Sequence, residues 1–345
     1  LPLDPIPASR GVMAEDSALP ETHSHALSYD LHGLRIAFQC DALLAGALRE
    51  RLGQLPPAPP GVADLTFTFH SVPNSAAHVV DPPPPGARLV YASDLGEFCY
   101  DECADALFIV CGDRVRVRCD AARGQAHTSV ARMEASGLWL LSHPLVTMPL
   151  MEMAKHRGLF SLHAAAVAVE GSCLIFPGAS GSGKSTLALA LARAGWDLLG
   201  DDMLFLTPAR DGPMVRAFPE PIDLTDPTID LFPELADLAD VPRLPGWPKR
   251  QLHLSDRYGT RIAWNCRPAA LVFPRVAYRA CSMLTPMDRD EALLELVPNV
   301  LLTETRATQA HLDALALLVG QCACYRLETG RDLDALPSLL QPLLG

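Results

Sequence analysis

The sequence predicts an α/β protein of two domains, on three observations. The apolar run Cys173–Phe176 leads through a glycine-rich loop into an Ala/Leu-rich helical segment, KSTLALALARA, which predicts a strand, a loop and a helix in the second half of the chain. Alternating segments such as LTFTF at Leu65–Phe69 predict half-buried strands in the first half. The chain has 345 residues, 49% of them hydrophobic, which is enough for two domains.

The elements of the first half follow from turn and cap residues. Residues 1–27 contain proline and serine without a hydrophobic period and predict a loose tail. Asp41 is a good N-cap for a short helix that ends at Gly53. Ala106–Cys111 and Arg114–Arg118, joined by a tight turn, predict a β-hairpin with the valines inside and the arginines outside. We therefore predict a small α/β domain at residues 28–143.

A complete G-x-x-x-x-G-K-[ST] motif occupies residues 178–185 as GASGSGKS. In such a loop, backbone N–H groups point at nucleotide phosphates and the following helix adds its positive end. Lys184 is expected to reach the β- and γ-phosphates of ATP, and the Ser185 hydroxyl to bind Mg²⁺. The alternative is a Gly/Ser-rich turn before an ordinary helix. The predicted nucleotide contacts are Gly178, Ala179, Ser180, Gly181, Ser182, Gly183, Lys184, Ser185 and Thr186.

Two adjacent carboxylates, Asp201 and Asp202, follow Lys184 after only 17 and 18 residues. The helix returns directly into LLGDD, so we expect the two side chains at the tip of the adjacent strand, facing Ser185 and the γ-phosphate. One carboxylate can help to hold Mg²⁺ and the other can accept the proton of an attacking hydroxyl. Since neighbouring side chains on a strand diverge, the two tasks should be divided between them. A capping or turn pair is the alternative.

Other elements of the second half surround this motif. We predict a helix at 144–157, a strand at Leu162–Val169 that contains His163, and a Pro- and Asp-rich lid at 215–247. Three basic residues near the lid are candidates for contacts with phosphate or an acidic substrate, with ordinary surface charge as the alternative. They are Lys249, Arg250 and Arg257. Further elements are a strand at 203–206, helices starting near Asp288, Gln309 and Asp332, and a strand at 322–327.

Composition excludes several classes of function. The net charge of −12 argues against a nucleic-acid or anionic-membrane surface. The most apolar stretch, 137–151, is interrupted by polar residues and prolines and is too short to span a bilayer. The first residues lack a basic and apolar leader, and the spacing of the ten cysteines supports neither disulfides nor a zinc site. We expect a reduced, cytoplasmic chain with no nucleic-acid or membrane partner.

The order of motifs resembles a known family. His163 lies 21 residues before Lys184, and the order L-H, GxSGxGKS and G-D-D at these intervals is similar to the catalytic domain of HPr kinase/phosphorylase, over about residues 158–206. The resemblance implies an HPr-kinase-like P-loop catalytic domain at 144–345 that phosphorylates a protein serine. It implies that Asp201 is the base, that Asp202 supports Mg²⁺ and that His163 is an auxiliary acid or base. For His163 alone, a hydrogen-bonded structural histidine is the favoured interpretation.

The chain also departs from that family. Where the family has E-I-R-G, this sequence has FPEPIDL at 218–224, so Glu220 is the expected second Mg²⁺ ligand. The first half does not match the family's regulatory domain and looks more like the HPr-kinase-related group found beside peptide-modification genes, including kinases of lasso-peptide precursors. The expected partner is a serine-bearing peptide or protein. HPr kinases assemble as hexamers, so the resemblance leaves open whether this chain forms a homo-oligomer.

Three other functions stay open at this point. A small-molecule kinase could use the same residues, because an acceptor pocket leaves no motif. A nucleotide-gated binding or regulatory protein would need no base, whereas Asp201, Asp202 and His163 are all present. Phosphoenolpyruvate carboxykinase has a similar loop and G-D-D, but this chain is short for it and lacks a matching Lys/His metal pair.

Overall fold

The computed structural model describes residues 25–93, 96–131, 134–210, 212–243 and 247–345. Nearly all of the tail predicted at 1–27 lies outside these ranges, and the first strand begins at His25. The described helices are α1 (Ala42–Leu52), α2 (Met148–Lys155), α3 (Lys184–Arg193), α4 (Asp226–Ile229), α5 (Leu254–Tyr258), α6 (Arg289–Leu296), α7 (Thr305–Gln321) and α8 (Leu336–Leu340). None of the described helices has the length and apolar character needed to cross a membrane.

The first eight strands form one sheet in the order β1-β2-β3-β8-β7-β6-β5-β4, in which β3 pairs in parallel with β2 and β8 and the other pairs are antiparallel. Residues 25–131, which contain this sheet and α1, are called the N-terminal unit below. Its strands are β1 (His25–Leu31), β2 (Leu34–Cys40), β3 (Leu65–Val72), β4 (Arg88–Ser93), β5 (Gly96–Asp101), β6 (Ala106–Cys111), β7 (Val115–Asp120) and β8 (Gln125–Ala131).

Local sequence rules explain the N-terminal unit. Asp41 caps α1, because its carboxylate accepts a hydrogen bond from the Leu44 N–H at 2.9 Å. The predicted hairpin is confirmed by β6 and β7, with Val115 and Val117 buried and Arg118 exposed. The helix cap and the alternation of buried and exposed side chains therefore predicted both elements.

The second sheet has the order β12-β10-β11-β17-β14-β13-β9, with β19 beside β17 and β18 beside β19. The strands β11, β17 and β19 are parallel, and β10 is antiparallel to both β11 and β12. The strands are β9 (Phe160–Leu162), β10 (Ala164–Val169), β11 (Ser172–Pro177), β12 (Asp197–Gly200), β13 (Leu204–Thr207), β14 (Met214–Arg216), β17 (Asn265–Val276), β18 (Met283–Pro286) and β19 (Ala323–Thr329); β15 (Ile222–Leu224) pairs only with β16 (Arg250–Leu252).

This topology places the aspartates close to the glycine-rich loop. The sequence predicts β12 directly beside β11, which is wrong, because β10 lies between them. Since β10 is antiparallel to both neighbours, β11 and β12 run in the same direction and end at the same edge of the sheet. The loop that follows β11 and the carboxylates that follow β12 therefore meet at that edge.

His163 lies at a break between two strands. The single strand predicted at Leu162–Val169 is wrong, because β9 pairs with β13 whereas β10 pairs with β11 and β12. Between them, the N–H of His163 donates to the carbonyl of Asn299 at 2.8 Å. The chain changes ladders at this residue, which leaves the imidazole beside the sheet edge where β12 ends.

Hydrophobic packing joins the two sheets. The core of the N-terminal unit includes Met203, Phe205 and Phe218 from the second half of the chain. The Pro- and Asp-rich segment, predicted as a lid, packs buried side chains that include Ile222 and Phe232 into the core of the second half, and its role as a lid stays a prediction. Where the sequence predicts one helix at 144–157, the structure has a π-helix at Ser142–Thr147 that continues into α2. The predicted domain boundary at 143/144 stays a prediction.

Candidate active site

The glycine-rich loop adopts a backbone that favours glycine. Gly183, which precedes α3, has a φ of 101°, and a Cβ there would lie 3.3 Å from Cγ2 of Val276. Gly178 has a φ of 153°, and a Cβ there would lie 2.7 Å from the Ser182 hydroxyl oxygen. Side chains at these positions would strain the loop and crowd its surface. The loop therefore presents backbone atoms, as a phosphate-binding loop requires.

Lys184 is held against this loop. Its side chain lies in a buried position, and Nζ donates to the carbonyl of Gly178 at 2.6 Å and to that of Ala179 at 3.3 Å. Burial lowers the pKa of Lys184 from its ordinary value, while the carboxylates of Asp202 and Asp201 act in the opposite direction. An ammonium group has three N–H donors, so it can bind an anion while it keeps a contact with the loop.

Asp201 is in contact with the serine that the motif assigns to Mg²⁺. The Ser185 hydroxyl donates to Oδ2 of Asp201 at 2.8 Å. Asp201 is only 7% exposed, and among the described residues its Oδ1 is buried without a hydrogen-bond partner. The pKa of Asp201 is raised to about 7, chiefly by burial; the hydrogen bond from Ser185 and the charge of Lys184 oppose this rise, and the negative charges of Asp202 and Asp223 contribute to it. The carboxylate is therefore incompletely satisfied in the protein alone.

This arrangement fits a bound Mg²⁺. Magnesium takes oxygen ligands and is usually held by one or two carboxylates together with substrate phosphates. The Ser185 hydroxyl and the buried Oδ1 of Asp201 supply such oxygens next to the loop. Within the described ranges, no group of three or more His, Cys, Asp or Glu side chains forms a metal cage by itself. The residues therefore fit a cation that takes some of its ligands from the protein and the others from a bound phosphate.

Asp202 points toward His163 instead. The imidazole Nε2 of His163 lies 3.2 Å from Oδ1 of Asp202, and the two side chains are 37% and 43% exposed. The bend that carries the two aspartates after β12 is tight, because a Cβ at Gly200, the last residue of β12, would lie 2.7 Å from the Met203 carbonyl oxygen. The two neighbouring carboxylates thus have different partners, a buried hydroxyl for Asp201 and a partly exposed imidazole for Asp202.

Glu220 is paired with a residue that the sequence analysis missed. Nη2 of Arg51, in the last turn of α1, lies 2.5 Å from Oε1 of Glu220, and both side chains are mostly buried. The role of Glu220 as a metal ligand stays a prediction, because its partner here is a guanidinium group. Arg51 carries no sequence signal, since a basic last turn is ordinary for a surface helix.

The structure separates the three basic candidates near β16. Arg250 is ion-paired with Asp226, and Arg257 Nη2 lies 2.7 Å from Oδ1 of Asp237. Lys249 lines the cavity described next, and its charge contributes to the lowered pKa of Lys184. Lys249 is therefore the candidate that can reach a phosphate.

A cavity of about 700 Å³ connects these groups. Every predicted site residue lines it except Gly178, Ala179 and Ser182. The carbonyls of Gly178 and Ala179 hold Lys184 instead. Residues that the sequence analysis did not assign to the site also line the cavity, among them Arg51, Asp223, Trp247 and Tyr278. Asp223 and Trp247 lie in the segment predicted as a lid, whereas Arg51 and Tyr278 come from distant segments and only the tertiary fold reveals them.

Comparisons with known proteins add little. No family model matches the sequence, and no curated protein matches it. The structure of the Hpr(Ser) kinase/phosphatase from Coxiella burnetii is similar to this chain with a TM-score of 0.28 and 10% identity, over 53% of this chain and 92% of that chain. A TM-score this low carries no argument about function. The α/β fold class rests on the strands and helices described above.

Proposed function

We propose that this chain is a kinase that transfers the terminal phosphoryl group of ATP to a serine hydroxyl of a peptide or protein. One observation carries the proposal: a lysine, a serine and two carboxylates with different partners meet at a glycine-rich loop on one cavity. Phosphoryl transfer needs such positioning and charge neutralisation more than covalent chemistry by the protein.

The chemical step needs a base that accepts the hydroxyl proton and donor groups that hold the phosphates. The serine oxygen of the acceptor forms a bond to the γ-phosphorus, the bond from that phosphorus to the β,γ-bridging oxygen breaks, and ADP leaves with the bond electrons. The hydroxyl proton passes to a carboxylate of the site. Lys184 and the loop N–H groups hold the phosphates. A bound Mg²⁺ would neutralise phosphate charge, held by Ser185 and a carboxylate.

The contacts favour a division of labour opposite to the one that the family resemblance implies. Asp201 is buried on Ser185, which is the position of a carboxylate that supports the metal. Asp202 is partly exposed and contacts His163, so it is the carboxylate that an acceptor hydroxyl reaches more readily. We therefore propose Asp202 as the base, His163 as the group that orients it, and Asp201 as the metal-supporting carboxylate.

The test uses Asp201→Asn and Asp202→Asn as a matched pair. With ATP, Mg²⁺ and a set of serine-containing peptides, we expect the wild-type protein to add about 80 Da to a serine, the mass of one phosphoryl group. Asp202→Asn should lower kcat about 10²- to 10⁴-fold and leave the Kd of ATP nearly unchanged. Asp201→Asn should instead increase the Mg²⁺ concentration needed for half-maximal activity.

The same data can refute the proposal at two levels. A wild-type protein that does not bind ATP in the presence of Mg²⁺ would exclude the kinase function. A loss of kcat in Asp201→Asn without any change in the Mg²⁺ requirement, together with an active Asp202→Asn, would restore Asp201 as the base. Peptides with alanine in place of serine serve as the acceptor control.

A small-molecule kinase is the second candidate. The observation that favours it is the size of the cavity, about 700 Å³, which lies in the range of small-molecule sites. Such an enzyme would use the same lysine and carboxylates. Transfer of phosphate to low-molecular-weight hydroxyl compounds, with no transfer to any serine peptide, would decide for it.

A further inference from the structure

Arg51 brings the N-terminal unit into the active site. Among the described residues that line the cavity, it is the only one that comes from residues 25–131. It sits in the last turn of α1, whose apolar face is anchored in the core by Leu44, Leu48 and Leu52. Because α1 is anchored in this way, its last turn holds the side chain of Arg51 at the cavity wall.

The environment of Arg51 is unusual for a purely structural arginine. Its side chain is 13% exposed and ion-paired with Glu220, and its Nε is buried with no hydrogen-bond partner within the described residues. A buried ion pair is weak evidence for stability, because desolvation offsets most of the attraction. A guanidinium group offers a planar fork of donors that matches the oxygens of a phosphate. With Nη2 on Glu220 and Nε unpaired, the described protein groups do not satisfy all the donors of this guanidinium group.

We propose that Arg51 binds the terminal phosphate of the nucleotide and stabilises its charge during transfer, while Glu220 holds the guanidinium group at the cavity beforehand. This inference rests on the proposed function and assigns to the N-terminal unit a direct part in it. An arginine at the transferred group neutralises charge that spreads over the equatorial phosphoryl oxygens. Lys184, Lys249 and Arg331 line the same cavity, and Arg51 adds a cation from the N-terminal unit.

The experiment compares Arg51→Gln, Arg51→Lys and Glu220→Gln with Arg49→Gln as the matched control. Arg49 lies in the same helical turn and is exposed, and it does not line the cavity. Fluorescence titration gives the Kd of ATP and of ADP for each protein, and the melting temperature reports folding. In Arg51→Gln we expect the Kd of ATP to rise at least about tenfold and that of ADP less than about twofold. Arg49→Gln should match the wild type.

Two further variants separate binding from structure. Arg51→Lys keeps the charge but loses the planar fork, so we expect a kcat about tenfold lower or more, at a melting temperature close to that of the wild type. Glu220→Gln should weaken the preference for ATP over ADP less than Arg51→Gln does, since the guanidinium group remains but loses the carboxylate that holds it. If Arg51→Gln does not fold, Arg51→Lys decides alone.

The outcomes distinguish this inference from the proposed function. If wild-type protein binds no ATP, the proposed function fails and this inference fails with it. If wild-type protein binds and transfers phosphate but Arg51→Gln and Arg51→Lys retain its ATP preference and kcat, only the inference is overturned. Equal weakening of ATP and ADP would likewise overturn it, because it would place Arg51 away from the terminal phosphate.

Discussion

Two clusters in this protein contain the same three chemical groups in different arrangements. One comprises Glu152, Lys155 and Thr303, and the other comprises Asp201, Lys184 and Ser185. In the first cluster, Nζ of Lys155 lies 2.9 Å from Oε1 of Glu152, the Thr303 hydroxyl donates to the same carboxylate at 2.8 Å, and Lys155 also donates to Thr303. Every group there is satisfied by another member of the cluster.

The second cluster is left open. Lys184 donates to loop carbonyls, Ser185 donates to Asp201, and Oδ1 of Asp201 is buried without a hydrogen-bond partner among the described residues. The first cluster is walled in by protein, and none of its members lines the cavity, whereas all three members of the second do. The comparison teaches that composition does not identify a functional site. A functional site is identified instead by side chains that line a cavity and leave polar atoms unsatisfied.

The largest effect is expected from breaking the closed cluster. Lys155→Met would leave the fully buried carboxylate of Glu152 without its cation, and removing one partner of a buried ion pair costs about 3–5 kcal/mol. We expect the free energy of unfolding, measured by urea titration, to fall by that amount. The Kd of ATP for the folded variant should not change. A double variant, Glu152→Leu with Lys155→Met, should recover much of the lost stability, and failure to recover would show that the pair has another role.

The open cluster should show the reverse, a gain of stability on substitution. Asp201 has an ordinary pKa of 3.8 and a folded-state pKa of about 7. Between these values the folded chain binds more protons than the unfolded chain, so its stability falls as the pH rises and the loss is complete above about pH 7. In metal-free buffer, Asp201→Asn should therefore be more stable than the wild type at pH 8 by roughly 2–4 kcal/mol, and equally stable below about pH 4.

Chemical denaturation at several pH values measures this difference. Asp202→Asn is the comparison variant, because it leaves the burial of Asp201, the largest cause of the raised pKa, in place and should keep most of the pH dependence. Parallel pH profiles for Asp201→Asn and the wild type would contradict the claim that Asp201 is held in an unfavourable environment. A stability gain combined with impaired activity is the usual sign of a residue retained for function.

Much of this site could be predicted from the sequence because its signals are local. The glycine positions, Lys184 and Ser185 lie in one continuous motif, and α3 begins at Lys184 as the strand-loop-helix pattern requires. The proximity of Asp201 followed from the short connection between α3 and β12. These predictions depend on a few residues of chain and on backbone rules that hold regardless of the rest of the fold.

The parts that the sequence could not give depend on long-range packing. The position of β10 between β11 and β12 depends on the pairing of β10 with the later strand β12, because the pairing of β10 with β11 is a local hairpin. Arg51 reaches Glu220 only because α1 packs beside the second half of the chain, and the split strand at His163 reflects two separate ladders. The apolar residues of the Pro- and Asp-rich segment enter the core, which alternation alone does not reveal.

The smallest effect concerns Lys249 and Arg257, which the sequence ranks together as basic candidates. Arg257 is ion-paired with Asp237 outside the cavity, whereas Lys249 lines the cavity near Lys184. We expect Lys249→Gln to raise the Kd of ATP about two- to fivefold, since a partly exposed cation contributes about 0.5–1 kcal/mol to such a contact. The effect should shrink at high salt because exposed charges are screened. Arg257→Gln should leave the Kd of ATP unchanged at any salt concentration. Equal effects of the two variants would mean that only net charge matters here, and the distinction between a cavity-lining cation and a paired surface cation would then be lost.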